Sequence, residues 1–289
     1  MLKFLMGCIL AISFAVFPVG SENAANAKEA KRVITQIKGD LYRFQNNFHY
    51  SVFYVTPAGA IVTDPINADA ARWLKAEIKK RFDKPIKYLI LSHDHSDHSA
   101  GGEVFAQDGT IVISHTRTKA VIIGEKRPTA TPNITFKRRL DLELGGARVE
   151  LRHVGRNHSD NMIVMRFPKE RVLFAVDFIP VKTVAYKTLS DAYLPGWIRS
   201  LARVEKMDFD ILVPGHGQIG SKADVTLFKK YMRDLYNQVL AAARAGKSLE
   251  EAQASVDLSK FQDMAMFDKW GPMNIEGAYR NIQLHRRGN

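Results

Sequence analysis

The stretch "IKYLILSHDHSDHSAGG" (86–102) constrains this chain more than any other. Its first seven residues read as a continuous, largely apolar strand, the pattern of a strand covered on both faces. Three histidines and two aspartates then fall within six positions, His93 to His98. Side chains one and two apart converge only if the backbone turns as a tight loop, so the fold must bring a buried strand to an edge and bend it there. Imidazole nitrogens and carboxylates are ligands that suit Zn2+, and iron or manganese as well. Ser99-Ala100-Gly101-Gly102 are small enough for a following helix to start close by. A polar turn rich in His and Asp is the alternative that this stretch alone leaves open.

The surrounding pattern favours two β-then-α halves. "RVITQIK", "LYRFQ", "SVFYVT" and "AIVTD" are short β-branched or aromatic runs split by Gly39-Asp40 and Pro57-Ala58-Gly59, the pattern of an antiparallel meander. Residues 67–82 space their apolar side chains as one face of a helix, and "TIVIS" (110–114) reads as a strand. "LDLEL" and "RVELRHV" form a hairpin around Gly145-Gly146, and "NMIVMRFP" and "RVLFAVDF" form another. "LPGWIRSLARVEKM" is helical, "FDILVP" is a strand, and 222–246 is a long helix with further helices after it. Two such halves predict two sheets packed face to face with helices outside. We expect one domain over 28–289, closed by C-terminal helices from about 221 to 289.

Other ligand-type residues fall at the predicted strand ends. His158 lies in the loop before "NMIVMRFP", Asp177 closes "LFAVDF", and His216 follows "ILVP" between two glycines. Each alone reads as an ordinary loop residue; together, at successive strand ends, they point to a metal site. The residues Asp64, "HDHSDH" (93–98), "GRNHSDN" (155–161), "LFAVDF" (173–178) and "VPGHG" (213–217) resemble, in type and order, the metallo-β-lactamase-fold superfamily. The resemblance spans roughly residues 33 to 240. It implies an α+β, four-layer αββα sandwich with two divalent metal ions at one edge, zinc being the expected ion. By position, His93, His95 and His158 would hold one ion and Asp97, His98 and His216 the other, with Asp177 bridging and Asp64 orienting the ligands.

The reaction implied is hydrolysis, in which a water shared by two ions attacks while Asp97 orients it and passes on its proton. No G-x-S-x-G and no Ser-His or Cys-His pair competes for the role of nucleophile. Asp177 bears on the substrate. In β-lactamases with a cysteine ligand, cysteine stands at that position, and the all-histidine subclass generally lacks a bridging carboxylate. Thioesterases of the glyoxalase II type, lactonases and several phosphodiesterases carry the Asp, so a hydrolase of esters, thioesters or lactones is favoured over a true β-lactamase. RNA-processing members usually add a domain not seen here, and flavodiiron members place Glu where His95 stands. A mononuclear-iron dioxygenase site and a non-catalytic metal-binding accessory protein remain as further readings. Candidate substrate contacts are His49 and Tyr50 in "NNFHYS", and Arg156. Lys182 or Tyr186 could line the mouth, whereas "DMAMFDKWGPM" (263–273) reads chiefly as a packed cap.

The N-terminus differs from the rest. A basic "MLK", an apolar run over 4–19 and Ala25-Asn26-Ala27 describe a secretory leader cleaved after Ala27, so a secreted or periplasmic protein is expected. The apolar run is shorter than the ~20 residues of a comfortable membrane span, so no stable anchor is expected after cleavage. Cys8, the one cysteine, lies within it. The net charge of +12 is scattered over many runs, which favours a small, anionic substrate and supplies no nucleic-acid motif.

Overall fold

The structure, a computed structural model, describes residues 30–285, and the leader expected at 1–27 lies outside them. Seven strands build the first sheet in chain order: β1 (Arg32–Lys38), β2 (Leu41–Asn46), β3 (His49–Thr56), β4 (Gly59–Thr63), β5 (Ile86–Ile90), β6 (Ile111–His115) and β7 (Ile134–Phe136). Pairing is antiparallel from β1 to β4 and parallel from β4 to β7. The parallel part needs crossovers, supplied by α1 (Ala68–Phe82), the single turns α2 (Ser96–Ser99) and α3 (Glu103–Ala106), and α4 (Thr116–Gly124). The second sheet has β8 (Arg139–Leu144), β9 (Ala147–Arg152), β10 (Val164–Phe167), β11 (Val172–Val176), β12 (Ile211–Pro214) and β13 (Gly220–Ser221), again ordered along the chain. Helix α5 (Leu194–Glu205) crosses from β11 to the parallel β12, and α6 (Lys222–Arg244), α7 (Leu249–Ser255) and α8 (Phe267–His285) complete the chain.

The four layers follow from the two-residue period of the strands. In β3, Val52 and Tyr54 enter the core shared by the sheets, while Phe53 between them faces the other way, onto the α1 side. Ile61 of β4 and Ile90 of β5 join the first set; Ala60, Val62 and Leu89 join the second with Ala70, Leu74 and Ile78 of α1. The central strands β3 to β5 of the first sheet are thus buried on two faces, as the expected αββα sandwich requires. Helix α1 begins where Asn67 accepts from the Ala70 amide at 2.9 Å and ends at left-handed Asp83, so its predicted limits hold within a residue. Helix α4 and strand β7 had no counterpart in the sequence reading. Across the sandwich, Trp197 of α5 is buried and donates its indole N–H to the Phe178 carbonyl at 2.9 Å.

Away from the ligand motif, His115 and His153 stack with ring centroids 4.2 Å apart. Burial lowers the His115 pKa, and burial with the neighbouring His115 lowers that of His153 to about 4. The unfolded chain takes up the His153 proton near pH 6.5, the folded chain only near 4, so this stability is full above pH 6.5 and falls as pH drops through that window. The urea midpoint of metal-free protein is expected to decline from pH 7 to 4.5 and to decline less steeply in His153→Gln. An unchanged pH slope in the variant would contradict this source.

Candidate metal centre

The sequence-predicted ligands arrive from separate strand ends at one edge of the sandwich. Strand β5 runs into Ser92–His98, the β9–β10 connection carries His158, Asp177 directly follows β11, and His216 lies two residues past β12. Parallel strands place these C-terminal ends side by side, where open α/β sheets commonly bind ligands. Two cross-sheet hydrogen bonds fix the edge: the Ile163 amide donates to the Ser92 carbonyl at 2.9 Å, and the Tyr50 amide to the Gly215 carbonyl at 2.8 Å. Strand β11 turns into the site through Val176, whose φ of 51° is unusual for a β-branched residue.

Two groups of possible ligand atoms result: His93, His95, His158 and Asp177, and Asp97, His98, His216 and Asp177, each with atoms within 4.8 Å of one another. Asp177 belongs to both. Its Oδ2 lies 3.6 Å from His93 Nε2 and 3.8 Å from His158 Nε2, and its Oδ1 lies 3.1 Å from His98 Nε2 and 3.3 Å from His216 Nε2. Asp97 Oδ2 stands 3.4 Å from His216 Nε2 and 3.7 Å from His98 Nε2.

These residues fit divalent ions. His93 Nε2 and Asp177 Oδ1 are buried without a hydrogen-bond partner, an arrangement that costs free energy unless something binds there. His158 Nε2 and His95 Nδ1 are 3.2 Å apart, as are His98 Nε2 and His216 Nε2. Two ligands of one tetrahedral ion with bonds of ~2.0 Å stand ~3.3 Å apart. Burial drives the pKa of His93 well below its ordinary value and that of His158 to about 4, so both rings are neutral and able to ligate. Burial would raise Asp177 and lower His98, but each outweighs this for the other: the carboxyl sits below its usual range, and the ring, facing Asp64 as well, above.

The neighbours orient the ligands. Asp64 Oδ1 accepts from the Ser92 amide at 2.8 Å, and its Oδ2 faces His98 Nδ1 at 3.3 Å, the position expected for it. His93 Nδ1 meets Ser92 Oγ at 2.9 Å, and His216 Nδ1 donates to the Phe48 carbonyl at 3.0 Å. Asp191 was not foreseen. Its Oδ2 accepts from His95 Nε2 at 2.8 Å, which leaves Nδ1 as the ligating nitrogen. It lies 96 residues along the chain in a segment without periodicity, so no sequence signal marks it.

A cleft of about 750 Å³ opens over the ligands, lined on one side by His49, Asp97, His158 and His216 and on the other by residues 183–192 and Trp270. His49 Nε2 is 3.6 Å from Asp97 Oδ2, so this candidate contact lies at the site. Two others do not line the cleft. Tyr50 turns aside because the Arg43 guanidinium stacks over its ring at 3.5 Å, and Arg156 sits over the Tyr193 ring at 5.1 Å. Of the mouth candidates, Tyr186 lines the cleft and Lys182 does not.

Gly215 leaves no room for a side chain: a Cβ there would lie 2.6 Å from His98 Cε1 and 2.8 Å from Asp177 Oδ1. Gly215→Ala is expected to fold with unchanged far-ultraviolet circular dichroism but to retain much less divalent metal by elemental analysis than the parent protein. Parental metal content in the variant would contradict the close approach.

A family model described as Metallo-beta-lactamase superfamily matches residues 46–216, more than half of the chain and all of the ligands above. The chain is 26% identical over 235 residues to 2,4-dinitroanisole O-demethylase subunit alpha of Nocardioides sp. (strain JS1661), covering 80% of this chain and 69% of the relative. It is 26% identical over 208 residues to Metallo-beta-lactamase type 2 of Elizabethkingia meningoseptica, covering 67% and 82%. A solved metallo-beta-lactamase from Pontibacter korlensis superposes with a TM-score of 0.65 at 20% identity, over 70% of this chain and 99% of its own. With the matched segment spanning both ligand groups and the same sandwich beneath them, the chain belongs to the metallo-beta-lactamase superfamily, as a hydrolase with a His/Asp metal-binding cluster.

Proposed function

We propose that the protein is an exported hydrolase that works with two divalent ions, zinc expected, on an ester, thioester, lactone or related carbonyl compound. The observation that carries this reading is the two-sided placement of Asp177, one oxygen toward each histidine group. His93, His95 and His158 with Asp177 would hold one ion, and Asp97, His98 and His216 with Asp177 the other. Bound there, such ions supply a water activated near neutral pH and an electrophile for a carbonyl oxygen.

The chain's own groups do the rest. Burial raises the Asp97 carboxyl, but hydrogen bonds from His216 and His49 outweigh it and hold the group below the usual carboxylate range. It is therefore ionised at neutral pH and exposed to the cleft, placed to orient a water by accepting its hydrogen bond. His49, half-buried beside it, is placed to hand a proton to the leaving group. Asp64 and Asp191 keep His98 and His95 in register.

Aspartate, rather than cysteine, at position 177 supports a carbonyl compound over a β-lactam. A β-lactam is the second reading, favoured by the relatives named metallo-beta-lactamase. The related 2,4-dinitroanisole O-demethylase subunit and linear primary-alkylsulfatase are named for other leaving groups, so the substrate does not follow from kinship. Turnover of aryl ester, thioester, lactone and β-lactam panels by zinc-loaded protein tests the reading; rapid β-lactam turnover with none of the others would reverse the ranking. No turnover of any panel by metal-replete protein would favour a binding protein. Asp97→Asn is expected to lower kcat by ~10²-fold or more with the fold intact, and parental kcat in this variant would remove Asp97 from the mechanism. Export is supported by the pattern before residue 28, and N-terminal sequencing of periplasmic protein is expected to begin at Lys28.

A further inference from the structure

One wall of the cleft is formed by residues inside the family-matched segment but is held by helix α8 and the turn before it, which lie beyond that segment. Residues 180–192 pass over the ligands as an irregular strap, with Lys182, Lys187 and Leu189 in the left-handed region. Such a strap has few backbone partners of its own, yet α8 and the turn before it hold it at four places. The Val184 amide donates to the Ala265 carbonyl at 3.2 Å, and the Ala265 amide to the Lys182 carbonyl at 2.8 Å. Asn274, fully buried, donates to the Ala185 carbonyl at 2.9 Å and the Lys187 carbonyl at 2.7 Å, and Tyr231 fixes its other end at 2.6 Å. Gly277 lies so close to Thr188 that a Cβ would sit 2.0 Å from its carbonyl oxygen. Asn281 donates to the Ala192 carbonyl at 2.6 Å. Positions 274, 277 and 281 share one face of a helix, and one turn before them Trp270 reaches the cleft.

Trp270 meets Tyr186 edge to face, with ring centroids 5.0 Å apart. Tyr186 is 57% exposed, and Phe48 on the hairpin across the mouth is 82% exposed. Val184, Ala185 and Leu189 continue the apolar surface down toward the ligands. The aromatic surface is therefore backed by buried asparagines and turned toward a cleft whose floor is the metal-binding cluster, with Tyr186 outermost, Trp270 half-buried behind it and the Lys187 ammonium 4.8 Å from the Tyr186 ring centroid. An exposed tyrosine ring backed by a half-buried tryptophan on a rigid support is what contact with a flat ligand needs.

We propose that α8 and the strap form a fixed aromatic wall that selects substrates bearing a flat apolar group, with Trp270 and Tyr186 as the specificity-determining residues. This rests on the hydrolase reading for the identity of the reaction, not for the binding. Zinc-loaded full-length protein, Tyr186→Ala and Trp270→Ala, with Trp270→Phe as the conservative variant, would be titrated calorimetrically with acetate and 1-naphthylacetate, carboxylate products of short and aryl substrates. The parent is expected to bind naphthylacetate at least ~10-fold tighter than acetate, a preference within reach of aromatic contacts. Tyr186→Ala and Trp270→Ala are expected to lose most of that ratio while binding acetate as before, and Trp270→Phe to keep it. Equal binding of the two acids by the parent would overturn the proposal, as would a ratio unchanged in both alanine variants. Tyr186 is exposed enough that its variant folds if the parent does, so loss of acetate binding in Trp270→Ala alone leaves the Tyr186→Ala ratio to decide. Selective binding without turnover of any ester would overturn the hydrolase reading and leave the wall standing; turnover of acetyl and naphthylacetyl esters with equal KM would do the reverse.

Discussion

A buried carboxylate facing four imidazoles is the constraint on which the rest of this structure depends. Asp177 lies within 3.1 to 3.8 Å of ring nitrogens from His93, His98, His158 and His216, and one of its oxygens is buried without a hydrogen bond. With the Nδ1 protons of His98 and His216 turned to Asp64 and the Phe48 carbonyl, the Nε2 lone pairs of the rings in their neutral form face each other with no proton between them. A protein that packs its polar groups this way has arranged them around something positively charged. The carboxylate is what makes one site of two: without it the two histidine groups would be neighbours, and with it they have a common ligand.

Holding that arrangement costs backbone strain, and the strain is local. Asp64, Ile66 and Val176 all have positive φ, and all stand at the ends of β4 or β11 beside the ligands. Each such residue costs ~1–3 kcal/mol and persists only where its surroundings leave no other choice. Here the surroundings are the doubly buried strands, which are rigid and stop at a common edge. The Ile66 amide donates to the His98 carbonyl at 3.0 Å, so one strained residue is used directly to place the motif. The sandwich thus acts as a support on which short loops are bent to exact few ligand positions rather than left free.

Much of this was legible in the chain. The ligands were readable because each falls at the end of an apolar run, so strand ends could be found from periodicity and the ligands from residue type. The buried strands were readable because both faces are apolar. What escaped notice depends on contacts between distant segments. Asp191 meets His95 across 96 residues, and Asn274 and Asn281 look like ordinary polar residues of a helix until the strap lies against them. Residues 263–273 were read as a packed cap, and they are partly that, yet Trp270 also reaches the cleft. Tyr50 and Arg156 were drawn toward the site by proximity in sequence, but each had a stacking partner, Arg43 and Tyr193, that only the fold reveals.

The ligands divide between the sheets: His93, His95, Asp97 and His98 follow β5 of the first, while His158, Asp177 and His216 come from the second. Each proposed ion would take ligands from both, so either one would join the sheets as a disulfide joins two chains. With a single cysteine in 289 residues, the chain can form no internal disulfide. A clasp of that kind opens to chelators and acid rather than to reductants, and so ties the mechanical integrity of the sandwich to the supply of metal around it.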